Sequence, residues 1–386
     1  MTERRAEYQL TLHRRIAEIA ETQWDACAGA GNPFLSHAFL DALEESGAAA
    51  PETGWLPQHA ALRDGAGRLL AVAPMYAKTH SYGEYVFDHG WADAYERAGG
   101  RYYPKLQIAV PFTPVPGRRL LLREETDEGA RAALIAGLVQ AAERLGVSSL
   151  HLTFCTEEEW QRLGAAGFLQ RTGEQFHFES RGYATFEDFL ADLASRKRKQ
   201  VRRERREVTE AGIVIEVCEG RELTEAHWDA MFAFYMDTGS RKWGRPYLNR
   251  RFFSLLHERM AEHCVLILAR RAGRIIAGAL NLRGADTLYG RYWGCIEHHP
   301  CLHFELCYYQ AIEYALARGL TRVEAGAQGE HKLARGYLPT ATYSAHWIAD
   351  PRLREAIERY LVREREHVAE EIGYFASHAP FRRETD

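Results

Sequence analysis

The sequence predicts a mixed α/β fold of the α+β type, built from two similarly organised halves with a strongly basic helix between them. Three observations carry this. Residues 264–325 read as three alternating strands, an amphipathic helix and a last strand that ends in a polar loop. Residues 8–154 read as strand, helices, strands, helix, strand, the same plan again. The 386 residues, 46% hydrophobic and 26% charged, are those of a globular chain long enough for two cores. The boundary falls near residue 175, giving an N-terminal domain over 1–175 and a C-terminal domain over 176–386. The substrate cleft is expected between them.

Each element has a local reason. Tyr8–Leu12 opens the first half as a strand, and 60–62 with 69–76 form a hairpin around the turn 64–67. Residues 130–145 are amphipathic and stop at Gly146, and 149–154 follow as a strand. Thr185 with Asp188 starts the basic helix and Gly212 ends it, with Leu190, Leu193, Val201 and Val208 as a thin apolar stripe. In the second half, 264–269, 275–282 and 287–293 are strands joined by turns at 270–274 and 284–286. A helix from about His303 to Arg318 carries Phe304, Tyr308, Ile312 and Ala315 on one face, and Gly319 stops it.

The segment 324–339, Glu-Ala-Gly-Ala-Gln-Gly-Glu-His-Lys-Leu-Ala-Arg-Gly-Tyr-Leu-Pro, is the most informative stretch. Two carboxylates, an imidazole, an amide and two cations follow a strand, with glycines at 326, 329 and 336 that let backbone approach a ligand. Such a set suits polarising a carbonyl and moving a proton. No Ser/His/Asp arrangement surrounds Ser254, Ser344 or the seven cysteines, so direct attack by an acceptor amine is expected. Glu324 is the expected base and Lys332 the cation for the developing oxyanion, with Gln328 and His331 beside the substrate. His303 and Glu305 sit where the preceding helix starts and are expected to face the cleft. The competing reading has them cap that helix and pair with Arg291 or Lys332. Residues 237–247 read as a polar and aromatic loop before a helix starting near Asn249. There Asp237, Arg241 and Lys242 offer charges, while Trp243 and Tyr247 offer flat faces. Lys105 and Gln107 lie on a proline-punctuated extended segment and are expected to touch substrate.

The order of three antiparallel strands, helix, strand and polar loop is that of the GNAT acyltransferase fold. The sequence resembles the FemAB-like N-acyltransferases, a branch of that superfamily associated with peptidoglycan biosynthesis or recognition. The resemblance is carried by Asn-Pro-Phe-Leu-Ser-His at 32–37, by 103–114, by Lys-Trp-Gly-Arg-Pro-Tyr at 242–247, by 302–305 with 307–310, and by the loop. It implies tandem GNAT-like (acyl-CoA N-acyltransferase-like) domains whose strands splay around the acyl donor near Tyr292, Trp293 and Glu324. It also implies a catalytic lysine at position 332, in Gly-Glu-His-Lys. The implied reaction moves an acyl or aminoacyl group to an amine of a cell-wall precursor or related metabolite. Two alternatives stay open: an acyl-CoA-dependent N-acetyltransferase of small amines, and a catalytically silent module recognising peptidoglycan fragments or RNA.

Eight Lys or Arg fall between positions 196 and 206, and Arg198, Arg202 and Arg205 are the expected phosphate ligands. The resemblance matches this helix to donors that are aminoacyl-tRNAs and acceptors that are nucleotide-linked precursors. A CoA-binding turn of the Q/R-x-x-G-x-G/A type is missing, because the stretch 294–303 holds one glycine and a proline. No permanently bound cofactor is expected; aminoacyl-tRNA or acyl-CoA would come as donor. Cys295, His298, His299, Cys301, His303 and Cys307 lack C-x-x-C spacing, so no metal site and no stoichiometric zinc are expected. A net charge of −4 argues against a dedicated nucleic-acid binder. An odd cysteine count, a charged start and no apolar run of about 20 residues lead to an expected cytoplasmic protein with no membrane insertion.

Overall fold

The computed structural model describes residues 7–242, 246–326 and 329–382, with 240–242 as backbone only. The chain divides into two compact units. The first comprises Met1–Gly173 and Ala341–Ala369, the second Glu174–Thr340 and Glu370–Asp386. The stretch 341–369, expected in the second half, therefore belongs to the first unit. No helix among the described residues is long and apolar enough to cross a membrane.

In the first unit, Tyr8–His13, His59–Asp64, Leu69–Ala73 and Leu121–Leu122 form a four-stranded antiparallel sheet. The expected hairpin is present, but its second strand stops at Ala73. Met75–Lys78 belongs to a different sheet, between Trp55–Pro57 and Lys105–Ile108. Pro74 lies between the two strands and has no N–H to give a ladder. Asp127 caps the helix Glu128–Leu145 by accepting from the Ala130 N–H at 2.8 Å. That helix buries Leu134 and Leu138 with Leu150 and Leu152 of the strand Ser149–Cys155.

In the second unit the sheet runs Val214–Glu219, Cys264–Arg271, Arg274–Arg283, Thr287–Cys295, Arg322–Glu324, then the end of Leu169–Glu179. Every pairing is antiparallel except one. Thr287, Leu288 and Tyr289 pair in parallel with Arg322, Val323 and Glu324. The three expected strands are all there, and Val214–Glu219 adds an edge strand that the alternation did not reveal. The helix before the last strand has a π-helical turn, Glu305–Tyr309, between Leu302–Phe304 and Gln310–Ala317. The inserted residue rotates the first turn, so Phe304 is only half-buried while Tyr308, Ile312 and Ala315 are buried.

The basic segment is two helices rather than one. Phe186–Asp192 carries the expected Thr185/Asp188 capping box, and Ser195–Glu210 carries the cations. The break at 193–194 is fixed by the chain's C-terminal segment: the Ala194 N–H donates to the Pro380 carbonyl at 2.9 Å, and Leu193 bridges Phe381. Val201, Glu204 and Val208 face inward.

Candidate active site

The site grows from the point where two parallel strands part. Thr287–Cys295 runs beside Arg322–Glu324 for three residues and then continues past the end of its neighbour. Gly290 permits the close approach there, since a Cβ would stand 3.2 Å from the Glu324 carbonyl oxygen. The pairing with Arg274–Arg283 shifts register between Leu280 and Asn281, passing from Tyr292 to Gly290 and leaving Arg291 out of the ladder. Pleating then sends neighbouring rings to opposite faces. Tyr292 meets Tyr235 edge-on at 5.0 Å, and Trp293 meets His303 edge-on at 5.2 Å.

Glu324 ends the strand Arg322–Glu324 and is buried. Its carboxylate lies 4.0 Å from Nδ1 of His177, its partner across the antiparallel ladder. Burial, then the cations Arg322 and Lys332, hold the His177 imidazole at about 3, so it is neutral at physiological pH. Lys332 is 1% exposed, and its ammonium donates to the Gly326 carbonyl at 2.6 Å. Burial pulls its pKa from 10.5 down to about 8. Among the described residues no carboxylate forms an ion pair with it, so it is not the structural partner of Glu324. Gly326, Gly329 and Gly336 all have positive φ, at 76°, 117° and 87°, which side chains rarely adopt.

An aromatic wall stands beside this loop. His331 shares a hydrogen bond with the Tyr308 hydroxyl at 2.8 Å, and its ring lies 6.1 Å from that of His303. Trp293, His303 and Phe304, with Thr238, Cys295 and Cys301, line a cavity of about 430 Å³. The first turn of the helix thus brings His303 to a concave surface.

Glu305 does not join it. Its carboxylate is 4% exposed and takes three hydrogen bonds from Arg205, at 3.2, 3.2 and 3.0 Å, and one from Gln310 at 2.8 Å. Its partner is neither Arg291 nor Lys332, and it fastens the basic helix to the π-turn. The same interaction commits Arg205, which also binds Glu313 at 2.7 Å. Arg202 pairs with Glu187 at 2.6 Å, and Arg198 reaches the Ala191 carbonyl at 3.3 Å. Among the described residues, the exposed cations of this helix without an ion-pair partner are Arg196, Lys199, Arg203 and Arg206. Helical spacing places these four on one face.

Other expectations need correction. The helix Glu225–Lys242 runs through Asp237, Arg241 and Lys242, which are therefore not loop residues. No proline interrupts it before Pro246, and Gly239 allows Pro246 to fold back, for a Cβ there would stand 2.7 Å from the proline ring. Asp237 is exposed, and the helix expected near Asn249 begins at Arg250 with Asn249 as its cap. Tyr247 is half-buried, and its N–H donates to the Tyr235 hydroxyl at 3.0 Å. Trp243 and Gln328 lie outside the described residues. Lys105 and Gln107 are fully buried in the first unit, where flanking strands cover their segment on both sides. Lys105 donates to Ser81, Glu84 and Asp88 at 2.8, 2.7 and 2.5 Å, and Gln107 donates to Thr153 at 2.8 Å. Both side chains are thus committed to internal partners, Lys105 to two carboxylates and a hydroxyl, Gln107 to a hydroxyl.

Sequence reasoning missed Glu204 and Arg335. Both are 5% exposed, and the guanidinium binds both oxygens of the carboxylate at 3.0 Å. Tyr309 donates to the same carboxylate. Arg335 also donates to the His331 carbonyl at 2.7 Å and lies 3.4 Å from the centre of the Phe304 ring. The basic helix is thereby tied to the loop bearing Lys332. Glu204 had a signal: it is the one acid among the cations that keeps spacing with Val201 and Val208.

Three solved structures cover most of the chain. FemX superposes with a TM-score of 0.57 at 13% identity, over 91% of this chain and 100% of its own. The C-terminal domain of a putative lysylphosphatidylglycerol synthetase from Agrobacterium fabrum gives 0.54 at 10%, over 90% and 97%. L-PGS from Bacillus licheniformis gives 0.52 at 11%, over 86% and 98%. At these identities the likeness is one of fold, and that fold is a tandem GNAT-like one. Curated proteins give no match by sequence. The family described by peptidoglycan biosynthesis/recognition, FemAB-like, matches residues 15–383. With that match spanning nearly its whole length, the chain belongs to the FemAB-like family.

Proposed function

We propose that the chain is an acyl or aminoacyl transferase that acylates an amine of a cell-wall precursor or related metabolite. One observation carries the reading: a lysine, buried to 1% exposure and held on a backbone carbonyl, stands in the loop that leaves the strand of a buried glutamate, where two strands part. A buried ammonium with no carboxylate among the described residues to neutralise it is poised for negative charge that arises during reaction.

The acceptor amine attacks the donor's carbonyl carbon and a C–N bond forms. Glu324 takes the amine proton, while Lys332 stabilises the oxyanion. On collapse the bond from carbon to the leaving oxygen or sulfur breaks, and the proton returns to the leaving group. His177, kept neutral, adds no cation beside Glu324. The 430 Å³ cavity walled by Trp293 and His303 offers room for the acyl portion. The exposed face of Arg196, Lys199, Arg203 and Arg206 suits a polyanionic donor or acceptor. Family membership and the aminoacyl product named for the Agrobacterium fabrum protein both favour an aminoacyl donor.

The test presents purified protein with aminoacyl-tRNA or acyl-CoA, a nucleotide-linked cell-wall precursor or a small amine, and mass spectrometry of products. Amide product from aminoacyl-tRNA, lost in Glu324→Gln, supports the reading. Product from acyl-CoA alone assigns the acyl-CoA alternative. Binding of precursor with no product from either donor would replace transfer by recognition.

A further inference from the structure

Glu216, Cys218 and His227 stand apart from everything described so far. Glu216 and Cys218 are two residues apart on the edge strand Val214–Glu219, so both side chains emerge on one face. His227 is in the first turn of the helix Glu225–Lys242, which follows a short 3₁₀ turn. The fold brings one ligand atom from each residue within 4.8 Å of the others. Cys218 is 3% exposed and His227 9%. Nδ1 of His227 is buried without a hydrogen-bond partner among the described residues, and leaving such an atom unmatched costs about 1–3 kcal/mol.

We infer that these three side chains form a binding site for one zinc-class divalent metal ion, pinning the start of the helix to the edge of the sheet. Thiolate, imidazole and carboxylate are a donor set that zinc takes in tetrahedral geometry, with water as the fourth ligand. Ligands about 2.0–2.3 Å from zinc stand roughly 3.5 Å from one another. Side-chain rotations of about 1 Å close the difference. Arg270 supports the set rather than blocking it. Its Nε donates to one oxygen of Glu216 at 2.5 Å. A ligating carboxylate is ordinarily held in this way by an outer partner. The Cys218 thiol hydrogen-bonds the same carboxylate, a contact that a metal ion would replace as it displaces the thiol proton. Binding releases the Cys218 proton to solvent as the sulfur becomes a thiolate.

The sequence-based expectation of a metal-free chain weighed only the ligands between 295 and 307. The new trio escaped because its members straddle a strand, a turn and a helix, with no recognisable spacing. The consequence reaches the cavity. The pinned helix also carries Tyr235, against Tyr292, and Thr238, in the cavity wall.

The experiment is a cobalt titration of the full chain, purified without a metal-affinity tag and freed of metal. One equivalent should bind with a near-ultraviolet thiolate-to-cobalt band, and zinc should displace it. Cys218→Ser should abolish the band, and His227→Ala should weaken binding by about 100-fold or more, since loss of a direct ligand costs at least what loss of an outer partner does. Cys301→Ser should change neither. Circular dichroism checks folding of each variant. If Cys218→Ser does not fold, Glu216→Gln takes its place, with about tenfold weaker binding expected. No uptake at one equivalent overturns the inference, as does a band that survives Cys218→Ser or is lost in Cys301→Ser.

Discussion

Lys332 holds a charge where the fold disfavours it. Its pKa in the folded chain, about 8, lies below the ordinary 10.5, so the unfolded chain binds more protons between these values. Stability therefore rises as pH climbs from about 8 to 10.5, and the full penalty applies below 8. Lys332→Met should raise stability by about 3 kcal/mol at pH 7, with the gain gone above pH 10.5, while turnover falls by about 10²-fold or more. Calorimetry at the two pH values checks the first part and steady-state kinetics the second. Glu324→Gln keeps the shape of its side chain and should lower kcat by about 10²-fold with little change in KM. The sequence singles out both residues because their loop gathers polar groups after a strand with no apolar run among them; that the fold nevertheless buries both side chains was not visible there. Glu204 and Arg335 were not, since 131 positions separate them and only folding pairs them. Lys105 stands on a proline-punctuated extended segment whose sequence does not reveal the strands that flank it on both sides.

At the scale of elements, the basic helix has two populations of cation. Arg205 neutralises buried Glu305, so Arg205→Gln should destabilise the fold by about 3 kcal/mol, as loss of one partner of a buried pair does. Arg196, Lys199, Arg203 and Arg206 support no such pair. Changing those four to Gln should leave the denaturation midpoint nearly unchanged and remove salt-dependent binding of tRNA, measured by filter retention across ionic strength. Unchanged binding would remove the helix from substrate recognition. The count of cations was legible, and so was the capping box. Their division into internal and external groups was not, because it depends on which face meets Glu305 and Glu313. Likewise the break at 193–194 is set by the distant Pro380 carbonyl, which no local pattern reveals.

For the whole molecule, the succession of three antiparallel strands, helix and strand in the second half was readable because half-buried strands alternate and the helix ends at glycine. The placement of 341–369 was not, since it requires a strand to return across the sequence to pair with Ser149–Cys155. Both units keep neutral imidazoles inside. Burial holds His151 and His177 at about 3 and His346 well below its ordinary value. The unfolded chain takes up these protons below about 6.5, so stability falls with pH from 6.5 toward 3, by about 1.4 kcal/mol per unit for each histidine. Urea unfolding at pH 6.5 and 5 should show that drop, and His177→Gln should make it shallower. The most direct measurement is a single-turnover reaction: aminoacyl-tRNA mixed with excess enzyme and a nucleotide-linked cell-wall precursor, with the new amide quantified by mass spectrometry. Wild type should form the amide, while Glu324→Gln and Lys332→Met bind both substrates yet react at least about 10²-fold more slowly. Wild-type rates in both folded variants would contradict transfer chemistry at this loop.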